Sequence, residues 1–113
     1  MAKILVVDDE PDVCELIKDI LVSEGYEVEI SYSGKECIKK VLRNGYSLIL
    51  LDLMMPDLSG EDVLKLLRKK GKKMPVVYVT IKPKLEVDTR HVDGFVQKPF
   101  HSEELVNAVK QVI

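Results

Sequence analysis

Short apolar runs alternate with amphipathic stretches along nearly the whole chain, and the runs predict strands. Uninterrupted apolar residues are typical of strands that are buried on both faces of a parallel sheet. The runs predicted to form such strands are Lys3–Val7, Leu48–Leu51 and Val76–Val79, and Gly94–Gln97 is predicted to be a fifth strand. Glu27–Tyr32 is predicted to be a further strand, with Val28 and Ile30 on one face.

The segments between the strands repeat apolar residues every three or four positions, which predicts helices. Pro11 fits the first turn of the first helix, and Gly25 ends that helix. The side chains predicted to cap the later helices are Ser33, Ser59 and Ser102. The apolar residues predicted to face the core are Val13, Leu16, Ile17, Ile20, Leu21, Val63, Leu66, Leu67, Leu105, Ala108, Val109 and Val112.

The alternation of strands and helices predicts the α/β class, with one parallel sheet covered by helices on both faces. The segment from Ile81 to Asp93 interrupts this alternation, because it contains Pro83 and shows no clear apolar stripe. The length of 113 residues leads us to expect one domain that spans residues 1–113.

Composition and charge exclude several classes of protein without changing the predicted fold. The chain is 46% apolar and 32% charged, as ordinary globular proteins are. A net charge of −2 provides no overall attraction to nucleic acid or to an anionic membrane, and no apolar run is long enough to cross a bilayer. Residues Met1–Lys3 do not begin a charged-then-apolar leader, so we expect no secretory signal, and Cys14 and Cys37 lack CxxC spacing. We therefore expect buried, reduced thiols in a cytoplasmic protein.

Polar residues that can carry chemistry stand at the carboxyl ends of the predicted strands. The first strand ends at Asp8-Asp9, the third at Asp52, the fourth at Thr80 and the fifth at Lys98. Right-handed crossovers bring these ends to one edge of the sheet, where open α/β sheets bind ligands. Converging carboxylates favour a hard divalent cation such as Mg²⁺. We therefore predict a phosphoryl-transfer site in which Asp52 is the nucleophile, Lys98 neutralises charge and Thr80 donates a hydrogen bond.

Taken in order, these motifs resemble the CheY-like receiver domain of two-component response regulators. The resemblance rests on Asp8-Asp9-Glu10-Pro11, on Asp52 to Gly60, on Thr80 and on Lys98-Pro99-Phe100, and it covers essentially the whole chain. It implies a flavodoxin-like, doubly wound sheet of five parallel strands in the order 2-1-3-4-5. It also implies that Asp52 accepts a phosphoryl group in a reaction that requires Mg²⁺, which Mn²⁺ could replace.

The resemblance further assigns roles to individual positions. The groups expected at the metal are the carboxylates of Asp9 and Asp52, the backbone carbonyl of Met54, and Asp8 acting through water. Thr80 and Phe95 fall where the family carries its switch residues, and the Lys98–Pro99 peptide bond is cis in the family. A domain of this kind is a phosphoacceptor and not a turnover enzyme.

The chain ends directly after the last predicted helix, so we expect a stand-alone receiver without an output domain. The expected phosphodonor is a histidine kinase or a histidine phosphotransfer protein, and signalling is expected to occur through phosphorylation-dependent binding of a protein target. Neither nucleic acid nor membrane is an expected partner, and we expect a monomer or a weak dimer. By analogy, the residues expected to face the kinase are Val13, Cys14, Ile17 and Pro99.

The sequence departs from the family's usual pattern in two respects. The family has a helix between its fourth and fifth strands, whereas Ile81 to Asp93 offers barely the minimum for a parallel crossover and contains poor helix formers. We expect this fourth helix of the family to be short, irregular or absent. The family also tends to place a small residue after the threonine. The branched Ile81 is therefore predicted to slow the entry of water or small phosphodonors and so prolong the life of the phosphoryl group.

Three other functions are compatible with the same fold class. A phosphorylation-independent interaction domain is suggested by the irregular segment, although the intact acidic pocket argues against it. A flavin-binding domain needs a phosphate-binding loop after the first strand, where the carboxylates of Asp8 and Asp9 would repel a phosphate. An aspartyl-phosphate phosphohydrolase would carry its nucleophile after the first strand, whereas Asp52 follows the third.

Overall fold

The computed structural model describes residues 2–113, which form one five-stranded sheet with helices on both faces. The strands are β1 Lys3–Val7, β2 Glu27–Ser31, β3 Leu48–Leu51, β4 Val76–Thr80 and β5 Gly94–Gln97. The α-helices are α1 Pro11–Ser23, α2 Gly34–Arg43, α3 Gly60–Lys69 and α4 Ser102–Val112, and a 3₁₀-helix covers Lys84–Glu86. Within this part of the chain, every helix is too short or too polar to cross a lipid bilayer.

All neighbouring strands run parallel, and the sheet has the order β2-β1-β3-β4-β5. The predicted flavodoxin-like, doubly wound topology is therefore confirmed. β1 and β3 are adjacent, and Val7 at the end of β1 is in register with Leu51 at the end of β3. The strand order reverses between these two strands, so their carboxyl ends flank the crevice in which sheets of this kind bind ligands.

Side chains of the central strands alternate between two apolar cores, one on each face of the sheet. In β1, Ile4 and Val6 pack with residues of α1 and α4, whereas Leu5 and Val7 pack with residues of α2 and α3. All four side chains are buried, which explains why the run contains no polar residue. The two cysteines are free thiols, one in each core, as predicted.

The predicted apolar stripes of α1 and α3 are wrong at one position each. Leu16 is 53% exposed, whereas its neighbour Ile17 is buried. Successive helical residues point about 100° apart, so a helix that turns Ile17 to the sheet leaves Leu16 on its flank. In α3, Leu64 is buried and Leu66 is only half-buried, the reverse of the predicted assignment for this pair.

The predicted helix caps are confirmed at two of three sites. Ser33 Oγ and Ser59 Oγ each accept a hydrogen bond from the backbone N–H three residues later, at 3.1 Å and 3.0 Å. The prediction for Ser102 is wrong, because this residue is already the first residue of α4 and His101 occupies the cap position. The carboxylate of Glu104, in the first turn of α4, accepts a hydrogen bond from the backbone N–H of His101 at 3.1 Å. This contact caps the amino-terminal end of the helix.

The segment between β4 and β5 forms no α-helix, as predicted, and only Lys84–Glu86 is helical, in a single 3₁₀ turn. The Asp88 carboxylate accepts hydrogen bonds from the backbone and side chain of Arg90 at 2.8–3.0 Å, and such local contacts compete with helix formation. Asp93 ties the end of the segment to β4. Its N–H donates to the Val76 carbonyl at 2.8 Å, and its carboxylate accepts the Val76 N–H at 3.0 Å.

Candidate functional site

Four polar residues are buried at the carboxyl edge of the sheet: Asp8, Asp52 and Thr80 lie at the ends of central strands, and Ser31 is the last residue of β2. Asp8 follows β1, Asp52 follows β3, and Thr80 is the last residue of β4; their exposed fractions are 2%, 4% and 0%. Backbone hydrogen bonds fix these strand ends to each other. The Asp52 N–H donates to the carbonyl of Val7 at 3.0 Å, and the Lys98 N–H donates to the carbonyl of Thr80 at 2.8 Å.

Lys98 joins the two buried carboxylates. Its Nζ lies 2.5 Å from Asp8 Oδ2 and 3.4 Å from Asp52 Oδ2. The Lys98 side chain is 10% exposed and the two carboxylates are less exposed still, so water screens these charges weakly. The cluster therefore holds one cation between two anions at a fixed position. The Lys98–Pro99 peptide bond that follows is cis, as the resemblance implied.

Burial and neighbouring charges shift the pKa values of this cluster. Burial raises the pKa of Asp52 above its ordinary value; the charge of Lys98 opposes this shift and the charge of Asp8 adds to it. Burial alone would lower the pKa of Lys98, but its hydrogen bond to Asp8 and the charges of both carboxylates outweigh that effect and raise it. Lys98 is therefore an ammonium ion at neutral pH.

Backbone groups orient the remaining carboxylate oxygens. Asp52 Oδ1 accepts the N–H of Met54 at 3.2 Å, and Asp8 Oδ1 accepts the N–H of Glu10 at 2.9 Å. The Cys14 thiol donates to the backbone carbonyl of Asp8 at 3.3 Å. Each carboxylate thus has one oxygen held by the backbone and the other directed to Lys98.

A group of acidic side chains at the same edge can supply ligands for a metal ion. Carboxylate oxygens of Asp8, Asp9 and Glu10 lie within 4.8 Å of one another, and Asp9 and Glu10 are exposed. Such an all-oxygen donor set fits Mg²⁺, which prefers carboxylates and retained water molecules. The sequence motif contains Glu10, but we did not predict it as a ligand. Asp52 is not part of this group and is connected to it through Lys98.

The two predicted switch residues lie on neighbouring strands. Thr80 Oγ1 accepts the backbone N–H of Lys82 at 3.4 Å. Phe95, in β5, is in register with Tyr78 and packs, half-buried, against the core on the α2 and α3 face. Ile81, which follows Thr80, is 59% exposed. Thr80 therefore lies at the carboxyl edge of the sheet. Phe95 lies opposite Tyr78, which is two residues before Thr80 in β4.

The loop between β3 and α3 is held close to the site by two residues. Gly60 permits a close approach of backbone, because a Cβ atom at this position would lie 2.4 Å from the carbonyl oxygen of Asp52. The Asp57 carboxylate accepts the N–H of Gly34 at 3.1 Å and the N–H of Lys35 at 3.0 Å, and so caps α2. We did not predict this cap, since the partners of Asp57 lie more than 20 residues earlier in the chain.

The predicted kinase-facing positions are wrong for two of the four residues. Cys14 and Ile17 are 0% and 1% exposed and lie in the core beneath α1, because this stripe of the helix packs on the sheet. They cannot contact a partner directly. Val13 is half-buried and Pro99 is exposed, so for these two residues the assignment stays a prediction.

The fold and the site together define a flavodoxin-like α/β protein with a carboxylate–lysine–carboxylate cluster at its switch point. The family model described as response regulator receiver domain matches residues 4–110. The chain belongs to this family. Phosphorylation and Mg²⁺ binding are general features of the family, whose members receive phosphoryl groups from histidine kinases and are not classical enzymes.

Similar proteins include regulators longer than this chain. The transcriptional regulatory protein DltR of Streptococcus agalactiae serotype III (strain NEM316) is 33% identical over 96% of this chain and 50% of its own length. The response regulator SaeR of Staphylococcus aureus (strain USA300) is 35% identical over 100% of this chain and 51% of its own length. The chain thus spans about half the length of the curated relatives it matches, and the stand-alone arrangement and the absence of nucleic-acid binding stay predictions.

Solved structures with the same fold cover the chain completely or nearly so. The response regulator protein TrrA from Thermotoga maritima, in complex with Mg²⁺-BeF, has a TM-score of 0.92 and 37% identity, with 100% of both chains covered. A CheY-like response regulator receiver domain protein from Methanospirillum hungatei JF-1 has a TM-score of 0.90 and 31% identity, with 98% of this chain and 92% of that chain covered.

Proposed function

We propose that this receiver domain is a Mg²⁺-dependent phosphoacceptor and that Asp52 carries the phosphoryl group. The observation that supports the proposal most directly is the position of the Lys98 ammonium between Asp8 and Asp52. A cation fixed beside the nucleophile in a weakly screened site stabilises negative charge where it gathers during phosphoryl transfer. Asp52 is also held rigidly, because it follows the central strand β3.

The transfer is a displacement at phosphorus. A carboxylate oxygen of Asp52 attacks the phosphorus of a phosphohistidine, a phosphorus–oxygen bond forms, and the phosphorus–nitrogen bond of the donor breaks. The imidazole leaves with the electron pair and takes up a proton. Lys98 neutralises the oxygens of the transferred group, and Thr80 donates a hydrogen bond to one of them. The histidine belongs to a histidine kinase or a histidine phosphotransfer protein.

The acidic residues at the site edge would hold the metal. Asp9 and Asp52 would bind it through their carboxylates, together with the backbone carbonyl of Met54, and Asp8 would act through water. Glu10 is an additional candidate, because its carboxylate is grouped with those of Asp8 and Asp9. When bound, Mg²⁺ supplies positive charge opposite the phosphoryl oxygens, and Mn²⁺ can replace it.

The phosphorylated domain signals by binding a protein target in the cytoplasm, without nucleic acid or membrane as a direct partner, as a monomer or weak dimer. Thr80 and Phe95 are the proposed switch residues. A phosphorylation-independent interaction domain is the second candidate function, and the observation that favours it is the irregular segment that replaces a helix between β4 and β5.

Mass spectrometry of the intact protein tests the proposal. Incubation with Mg²⁺ and acetyl phosphate is expected to add one phosphoryl group to the wild-type chain and none to Asp52→Asn. Asp62→Asn is a matched control, because Asp62 is an exposed carboxylate outside the site and should leave the adduct unchanged. A cognate kinase is used as a second donor.

The two donors together make a negative result decisive. Absence of an adduct with both donors would refute the assignment, as would an adduct that survives in Asp52→Asn. An adduct that forms equally well after chelation of divalent cations would refute the role of the metal.

A further inference from the structure

The loop between β3 and α3 follows directly on Asp52, and its two ends are held together. The Gly60 N–H donates to the carbonyl of Leu53 at 3.0 Å, and a Cβ atom at Gly60 would lie 2.4 Å from the carbonyl oxygen of Asp52. The Met54 N–H donates to Asp52 Oδ1 at 3.2 Å. The base of the loop is therefore fixed beside the proposed phosphoacceptor.

The middle of the loop projects into solvent. Met54, Pro56 and Asp57 are exposed, and Met54 retains 47% of its accessible surface. Exposed loop segments are more mobile than the elements they connect. A metal ligand on a mobile segment binds weakly, because ordering the segment costs conformational entropy. A ligand in this part of the loop therefore depends on a further tether.

Asp57 provides such a tether to the start of α2. Its Oδ1 accepts the N–H of Gly34 at 3.1 Å, and its Oδ2 accepts the N–H of Lys35 at 3.0 Å. Because both oxygens are engaged, the carboxylate cannot rotate without losing a bond. The backbone of α2 also comes close to the loop here, since a Cβ atom added at Gly34 would lie 2.9 Å from Leu58 Cβ.

The start of α2 has a cap of its own that does not involve Asp57. Ser33 Oγ accepts the N–H of Glu36 at 3.1 Å, and the Glu36 carboxylate accepts the N–H of Tyr32 at 3.5 Å. These contacts are local to α2 and the residues just before it. The bonds of Asp57 join segments more than 20 residues apart, so their distinct effect is on the position of the loop.

We propose that Asp57 is a positioning residue for the metal ion: it holds the loop against α2 and so fixes the segment that carries the Met54 backbone carbonyl. The inference rests on the proposed function, in which that carbonyl binds Mg²⁺. Asp57 acts through the loop and not as a ligand, because both of its oxygens are bound to α2. Contacts that orient metal ligands in this way strongly affect metal affinity.

Titration of the unphosphorylated chain with MgCl₂, followed in ¹H–¹⁵N spectra, tests the proposal. Asp57→Ala should raise the dissociation constant for Mg²⁺ about tenfold, the low end of what the loss of an orienting contact costs a metal site. Asp57→Asn keeps one acceptor oxygen and should lie between Asp57→Ala and the wild type. Ser33→Ala is the matched control, because it removes a cap from the same helix end, leaves the loop tethered and should bind Mg²⁺ as the wild type does.

Two further measurements separate positioning from a general loss of stability. With acetyl phosphate, Asp57→Ala should form the adduct slowly at limiting Mg²⁺ and at the wild-type rate at saturating Mg²⁺, because Asp52 is unchanged. Without metal, the Met54 N–H should exchange with water faster in Asp57→Ala than in Ser33→Ala, since the loop that holds it is released. Circular dichroism verifies folding, and Asp57→Asn carries the comparison if Asp57→Ala does not fold.

The outcomes distinguish this inference from the proposed function. A wild-type chain that binds no Mg²⁺ would overturn both. Mg²⁺ binding by the wild type, with equal affinities in Asp57→Ala and Ser33→Ala, would overturn the positioning role alone. The same conclusion would follow if saturating Mg²⁺ failed to restore the rate, or if the exchange of the Met54 N–H were unchanged in Asp57→Ala.

Discussion

Replacement of Asp57 by alanine should loosen the start of α2. Both oxygens of this carboxylate accept backbone N–H groups of the first turn, from Gly34 at 3.1 Å and from Lys35 at 3.0 Å. Ser33 Oγ satisfies a third N–H group of the same turn. Asp57→Ala therefore returns two of the three N–H groups to water and also removes a negative charge from the positive end of the helix dipole.

The expected loss in the free energy of unfolding follows from this geometry. Loss of one capping side chain typically costs about 1 kcal/mol, with a range of about 0.5–2 kcal/mol. Asp57 makes two such bonds but is exposed to solvent, which weakens charged contacts, so we expect about 1 kcal/mol. Asp57→Asn keeps one acceptor oxygen and should lose roughly half as much.

The effect should depend on pH in one direction. Desolvation raises the pKa of Asp57, but the hydrogen bonds from Lys35 and Gly34 outweigh it and leave the pKa below its usual value. A carboxyl whose pKa is lower in the folded state stabilises the protein above the unfolded-state pKa, which is about 3.9, and this contribution is lost as the pH falls through the folded-state value. The difference between wild type and Asp57→Ala should therefore be constant from neutral pH to about pH 5 and shrink below it.

Urea unfolding followed by far-ultraviolet circular dichroism measures these differences, since the chain has no tryptophan to report by fluorescence. Asp19→Ala, in the middle of α1, removes an exposed carboxylate that caps no helix and should change the free energy of unfolding by less than about 0.5 kcal/mol. An equal effect of both substitutions at neutral pH, or an Asp57→Ala effect that persists unchanged to pH 3, would refute the reasoning.

Three further predictions concern the loop, the thiols and the segment after β4. Gly60→Ala should lower the free energy of unfolding by about 1–3 kcal/mol in urea titrations, because the added Cβ clashes with backbone. Gly45→Ala is the control and should be nearly neutral, because nothing lies within 4 Å of the added Cβ. Equal effects of the two substitutions would contradict the packing argument. Burial raises the pKa of Cys14 and of Cys37 to about 12. Neither thiol should therefore react with iodoacetamide at pH 8 until urea unfolds the chain. Rapid labelling of the folded protein would be inconsistent with this burial. Ile81→Ala should lose its phosphoryl group faster than the wild type when hydrolysis is followed by mass spectrometry, and slower loss would overturn the proposed protection.

The order of apolar runs and polar strand ends was sufficient to predict a parallel sheet and the residues at its edge, whereas the strand order was implied by the family resemblance. Leu48–Leu51 is buried on both faces, so its residues had to be apolar throughout and the strand could be recognised locally. The handedness of parallel crossovers then places Asp52 at the same edge as Asp8. Poor helix formers likewise predicted the irregular segment before β5, because helix formation depends on the local sequence.

Only the tertiary structure decided which of these groups touch. Lys98 meets Asp8 across 90 residues and Asp52 across 46, and Asp57 caps a helix that begins 23 residues earlier. No local pattern specifies such pairs, since each depends on the exact register of separate elements. The rotation of α1 similarly buried Cys14 and exposed Leu16, although both fit a helical repeat. The sequence by itself determined which edge of the sheet carries the chemistry, and the packing of distant segments determined the contacts made there.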